Sequence, residues 1–173
     1  KLWSASSAGA SAGASAGARR GGPVLIEDPT HPFASQTALQ AELRRLAPAS
    51  IQVLGGTGVM PDALLTALAP FAPDVARLAG PDRYATAAAV AAATYEPGDP
   101  DLFVASGANF PDGLAGAALG GPILFVPAAA PVPFTVLYEV GRLAAGAQLV
   151  LLGSNGAVGD SSVAAVGYAQ EFP

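Results

Sequence analysis

Short apolar runs bounded by glycine or proline alternate along the chain with longer helix-forming stretches, which is the pattern of a parallel sheet with crossover helices. Strands are predicted near 2–5, 23–26, 51–54, 75–78, 102–105, 122–125 and 148–152. Helices are predicted near 8–18, 35–47, 61–70, 83–94, 111–119, 132–144 and 157–168. The strands are apolar almost throughout, as expected where both faces of a sheet are covered, so the expected fold class is α/β, three-layered and mainly parallel, of the Rossmann or Toprim kind. Asp82 ahead of Arg83 and Asn109 ahead of Phe110 place capping oxygens at two helix starts. In the helix from Arg83, positions Tyr84, Ala87, Ala88, Ala91 and Tyr95 form one stripe that predicts burial against strands.

The pattern repeats. Gly21-Gly22-Pro23-Val24-Leu25 returns as Gly120-Gly121-Pro122-Ile123-Leu124, 99 residues on. Glu42-Leu43-Arg44-Arg45-Leu46-Ala47 is echoed by Glu139-Val140-Gly141-Arg142-Leu143-Ala144 at 97, and Val53-Leu54-Gly55 through Gly58 by Leu151-Leu152-Gly153 through Gly156 at 98. Asp62 answers to Asp160, and Leu2–Ser6 to Leu102–Ser106 at 100. The implied organisation is an incomplete copy over 1–73 and a complete one over 74–173, with a period of about 98. Because the opening strand of one copy follows directly on its predecessor, the structural boundary is expected to lie within a strand of the sequence boundary. The stretch from Ala5 to Ala18, with its Ala-Ser-Ala-Gly units, leaves two readings open. It is a flexible linker, or a degenerate copy of the loop and helix at Ala105–Ala118 whose serines and glycines weaken helical propensity.

Composition narrows the chemistry. Hydrophobic residues make up 51% of the 173, enough to build a core, and much of that fraction is alanine, which favours thin, closely docked layers. A formal net charge of -5 argues against non-specific nucleic-acid binding, which needs a basic stripe. No apolar run approaches the roughly 18 to 20 residues that span a bilayer, so no membrane partner is expected. The beginning of the chain has neither a signal-peptide pattern nor an initiating Met, and it reads as a mature or trimmed fragment. With no cysteine and one histidine, nothing suggests a metal site, a cofactor or a cysteine nucleophile. His31 lies in the turn-rich Asp28-Pro29-Thr30-His31-Pro32 and reads as a surface loop residue.

Four phrases carry a resemblance. Arg77-Leu78-Ala79-Gly80-Pro81-Asp82-Arg83-Tyr84-Ala85-Thr86-Ala87 is followed by Val104-Ala105-Ser106-Gly107-Ala108-Asn109-Phe110-Pro111-Asp112-Gly113-Leu114-Ala115, then Pro122-Ile123-Leu124-Phe125, then Val150-Leu151-Leu152-Gly153. In content and order these resemble the cell-wall-binding repeat 2 family over 74–173. Residues 1–73 resemble the later part of a preceding module, with Pro23-Val24-Leu25-Ile26 in place of the proline-isoleucine-leucine phrase. That copy lacks the arginine-containing opening, and Ala8–Ala14 replace the asparagine-phenylalanine-proline-aspartate turn. The resemblance implies a non-catalytic module of a secreted or surface-layer protein. Such modules occur in tandem, commonly in threes about a pseudo-threefold axis, and hold their proteins to anionic wall polymers. It also implies packing against neighbouring repeats or within a homo-oligomer.

The expected ligand-binding residues are Arg77, Arg83, Tyr84, Asn109 and Asp112, each with a structural reading beside it. Arg77 and Arg83 flank the Ala79–Asp82 turn, where helix-start amides also face an anion. The alternative, which we favour, is an ion pair from Arg83 to Asp112 or Asp82. Asp112 either accepts sugar hydroxyls or stabilises the first turn of its helix, and the second reading carries more weight. Phe110 stacks on a sugar or, more in keeping with its surroundings, packs in the core. The proline-containing strands are expected to be central and buried, so that Ile123 and Leu124 act through packing.

Two rival functions remain at this point. Gly55-Gly56-Thr57-Gly58 after a strand suggests a nucleotide- or dinucleotide-binding enzyme, although Met60-Pro61 stand where a further glycine belongs and no acidic residue ends the next strand. The other is a purely structural module that packs into a surface lattice.

Overall fold

The computed structural model describes residues 2–5, 10–28, 30–98, 101–108, 110–129, 131–143 and 147–171. Seven strands alternate with seven α-helices: β1 (Leu2–Ala5), α1 (Ala10–Arg20), β2 (Val24–Ile26), α2 (Thr37–Leu46), β3 (Ser50–Leu54), α3 (Asp62–Leu68) and β4 (Asp74–Leu78) are followed by α4 (Arg83–Thr94), β5 (Asp101–Ser106), α5 (Phe110–Ala117), β6 (Ile123–Val126), α6 (Phe134–Leu143), β7 (Gln148–Leu152) and α7 (Asp160–Glu171). Single 3₁₀ turns precede α2 and follow α3.

The strands form two sheets, ordered β2-β1-β3-β4 and β6-β5-β7, and every pairing is parallel. The break falls between β4 and β5, so β4 closes the first sheet by pairing Ser50–Leu54 with Asp74–Leu78. The protein is α/β, as the alternation predicted.

In the second sheet successive side chains alternate between two buried clusters, which follows from the period of two along a strand. Leu102, Val104, Leu124 and Val126 face α6 and α7 through Val136, Val140, Leu143 and Val166. Phe103, Ala105, Ile123 and Phe125 face the opposite way, onto Ala12 and Ala16 of α1 and Ala117 of α5, together with Leu54 of the first sheet. A third cluster joins Ile51 and Val53 of β3 to Leu43 of α2 and Met60, Leu64 and Leu68 around α3. Helix α4 carries the chain between sheets and serves both, with Ala87 and Val90 in one cluster and Ala88 and Ala91 in another. Alanine on both faces lets it sit close to its neighbours.

The stretch that read as linker or helix is a helix from Ala10 onward; residues 6–9 lie outside the described part. Its propensity is poor, but its small residues are the reason it docks. Ala12, Ser15 and Ala16 are buried, which permits close approach to α4 and α5. The Ser15 hydroxyl donates to the Gly121 carbonyl and lies 2.6 Å from the Tyr95 hydroxyl, tying α1 to the end of α4 and the turn before β6. Tertiary packing overrides the weak intrinsic preference.

One expectation is corrected. The strands that follow Pro23 and Pro122 are not central: β2 and β6 are each the edge of their sheet. The second is nevertheless wholly buried, with Leu124 0% exposed, because α4 packs over it. In the first, Val24 and Leu25 are half-buried and Ile26 is 64% exposed. A continuous apolar run reports how well a strand is covered, and a helix covers an edge as effectively as a neighbouring strand does.

Candidate functional site

The first sheet's glycine turn comes where β3 ends. Gly55 takes φ +123, a conformation that side chains disfavour, and donates its amide to the Leu78 carbonyl at the end of β4. Beside this turn lies a cleft of about 310 Å³ lined from both sheets. One wall is Gly55, Gly56, Gly58 and Val59; the other is Gly80–Arg83 at the start of α4, with Ala12 and Phe125 contributing from α1 and β6. This is the carboxyl end of parallel strands, where α/β sheets commonly hold ligands. Among the described residues, the amides of Gly56, Thr57 and Gly58 donate to no backbone carbonyl.

The phrase from Arg77 to Tyr84 builds one wall residue by residue. Arg77 donates through Nη1 to the Gly55 carbonyl at 2.5 Å and pairs through Nη2 with Asp62 at 2.9 Å, so it braces the glycine turn and the start of α3 from behind. Gly80 leaves no room for a side chain, since a Cβ there would overlap Ala85. Its amide donates to Thr86 Oγ1, and that hydroxyl in turn donates to the Asp82 carbonyl. Asp82 caps α4 by accepting from the Ala85 amide at 2.8 Å. Arg83 donates to the Gly107 carbonyl at 2.6 Å. The expected lock between turn and next loop is therefore present, but it is a bond to a backbone carbonyl. Among the described residues Arg83 forms no ion pair with Asp82 or Asp112; through Nη1 it donates to the Gly107 carbonyl after β5 instead. Tyr84 packs against Gly107 and between two core clusters.

Of the five expected ligand residues, Arg83 lines the cleft and Arg77 and Tyr84 stand behind its wall. Asn109, and the side chain of Phe110, lie outside the described residues. Asp112 sits in the first turn of α5 with its Oδ2 2.7 Å from where a Gly153 Cβ would be. Gly153, with φ +112, follows β7 as Gly55 follows β3. In the second unit an aspartate thus occupies the space that stays open beside Ala12 in the first.

Sequence reasoning missed Ala12 and Val59 as cleft residues, whereas the Ala79–Asp82 turn, already read as facing an anion, lines the cleft through Gly80, Pro81 and Asp82. The glycine turn was visible, but it was weighed as a dinucleotide fingerprint. That fingerprint fails for a structural reason: Met60, where the further glycine belongs, is 0% exposed and fills the core between β3 and α3. His31 is exposed, paired with Asp28 at 2.7 Å. Hydrogen bonds from the Thr30 hydroxyl, the Thr30 amide and His31 pull the Asp28 carboxyl down from 3.8 to about 2. Among the described residues no group of three or more histidine, aspartate or glutamate side chains is placed to hold a metal, and no helix is long and apolar enough to cross a membrane.

Fold and site together define a parallel α/β module whose signature phrase frames a cleft at the carboxyl end of a sheet. The chain belongs to the cell wall binding domain 2 (CWB2) family, whose profile matches residues 77–163, half of its length. It is accordingly a cell-wall-binding module. No curated protein matches the chain in sequence. Solved structures sharing its fold include two Cwp proteins. Cwp8 from Clostridium difficile superposes with a TM-score of 0.74 at 19% identity, covering 100% of this chain and 30% of that one. Cwp6 from Clostridium difficile gives 0.78 at 16%, covering 97% and 27%. The chain spans less than a third of the length of either.

Proposed function

We propose that the module anchors a secreted, surface-associated protein non-covalently to an anionic wall polymer, without catalysis, and that the polymer enters the cleft between the glycine turn and the start of α4. The observation that carries this reading is the cleft itself. It offers amides of Gly56–Gly58 without backbone partners, the first turn of α4 and the Arg83 guanidinium, which together suit a phosphate or carboxylate. The carboxylate of Asp82 caps its own helix and so opposes an anion less than a free one would.

The two sheets have one strand order, β1 and β5 each lying between the strand after the next helix and the strand beyond it. This supports reading residues 1–73 as an incomplete copy and 74–173 as a complete one, with β4 contributed by the second sequence copy to the sheet of the first. Neighbouring repeats, or other copies of the chain, complete the assembly.

Co-sedimentation with purified wall sacculi tests the function. Binding should be present with intact sacculi and lost after acid extraction of their anionic polymers. Retention on extracted sacculi would refute the polymer assignment.

A further inference from the structure

We propose a second binding site, separate from the cleft, in which Glu27 receives a primary ammonium group. Glu27 follows β2 directly and is 5% exposed. Its Oε1 accepts from Gln36 Nε2 at 3.0 Å, whereas Oε2 is closed to solvent and has no hydrogen-bond partner among the described residues. The group lines a cavity of about 450 Å³. A carboxylate oxygen out of water without a donor is unfavourable, and such groups are normally paired.

At the corresponding position of the second sheet the fold uses no carboxylate. Ile26 pairs with Ala5 across the first sheet as Phe125 pairs with Ala105 across the second, so the residue after Ile26 corresponds to Val126. Val126 is 0% exposed in an apolar cluster. Where one unit uses a valine to fill its core, the other buries an acid beside a cavity.

The surroundings select the ligand. The cavity walls include Pro32, Phe33, Pro61 and Leu64, which suit a short carbon framework. No lysine or arginine lines it. The imidazole of His31, on the rim, is held by Asp28. Gln36 Nε2 also lies 3.0 Å from the carbonyls of Asp28 and His31, so its two hydrogens are shared among three acceptors on the Oε1 side of the carboxylate, away from Oε2. An ammonium supplies both hydrogen and countercharge; a neutral hydroxyl supplies the hydrogen alone. The exposed rim at Thr30–Ala34 must yield to admit it.

The test is a titration of the ¹⁵N-labelled protein at neutral pH with ethylammonium chloride, alongside ethanol and matched sodium chloride. Saturable shifts confined to Glu27–Gln36 and Ala63–Ala67 are expected with the amine alone, weakened at least tenfold by Glu27→Gln. Equal shifts with ethanol, shifts that persist in the variant, or none that saturate would overturn the proposal. Glu27→Val, which installs the residue of the second unit, should melt no lower than the parent. A lower melting temperature would show that the carboxylate serves the fold and would also overturn it.

Discussion

Ala12 and Asp112 stand at corresponding places, early in the helices that follow β1 of the first sheet and β5 of the second, strands that each lie between the next two of their sheet. At the end of β7 Asp112 lies across Gly153, its Oδ2 2.7 Å from where a Cβ would stand. In the first sheet, alanine leaves the end of β3 open, and the opening becomes a cleft because α4 and Phe125 of the neighbouring unit wall it in. The cleft thus lies where alanine stands in place of the aspartate. Loss of a side chain from a motif removes whatever that residue did, and it also uncovers backbone that the intact motif conceals.

The edge strands sharpen the comparison most severely. Leu25 and Leu124 occupy corresponding positions, but only Leu124 is covered by α4 and fully buried. Leu124→Asp should abolish folding, at a cost above about 4 kcal/mol for an unpaired charge in the core. Leu25→Asp should leave a folded protein with a lower melting temperature. Thermal unfolding followed by circular dichroism separates the two; similar losses would mean that coverage by α4 is not what distinguishes the strands.

A smaller contrast lies in the ion pairs of α2 and α6. Arg142 holds Glu139 at 2.7 Å and also donates to the Tyr95 carbonyl at the end of α4, and the Glu139 side chain is 6% exposed. Glu42 and Arg45 make the same i,i+3 pair at 2.6 Å, exposed to solvent. Glu139→Ala should cost about 2 kcal/mol because it strands a half-buried guanidinium, as urea denaturation would show. Glu42→Ala should leave the midpoint unchanged, since exposed pairs contribute little.

The smallest effect concerns pH. Asp28, held at about 2 against an ordinary 3.8, stabilises its loop fully above the ordinary value and loses that contribution as pH falls through its folded one. The corresponding loop after β6 has no titratable group from Pro127 to Pro133. Amide shifts of Thr30 and His31 should therefore move together between about pH 4 and pH 2, while those of Ala128 and Val132 stay still. Concerted movement of both loops would indicate global acid unfolding instead.

All seven strands were legible to within a residue or so, because glycine and proline bracket short apolar runs that only a covered sheet accommodates. Helix α1 was half-legible: its Ala-Ser-Ala-Gly composition is that of a linker, and only contacts with Tyr95 and Gly121, far along the chain, give it a reason to fold. The edge position of β2 and β6 was not legible, since hydropathy is blind to whether a strand or a helix provides cover. For the site, the sequence singled out Arg83 but could not place Ala12 beside the glycine turn. The replacement of the aspartate-containing turn by Ala8–Ala14 was visible in the sequence, but not that it leaves a cleft beside β3. Arg77 looked like an anion ligand because its partners, the Gly55 carbonyl and Asp62, become neighbours only when β3 and β4 pair.

The most direct test of polymer binding at the first unit is to map backbone amide shifts while titrating the intact module with anionic polymer released from the wall. Binding in the cleft predicts shifts at Gly56–Val59 and Gly80–Arg83, with Ser154–Ala157 beside the Asp112-filled turn unmoved. Shifts centred on Ser154–Ala157, or spread evenly over both units, would contradict it.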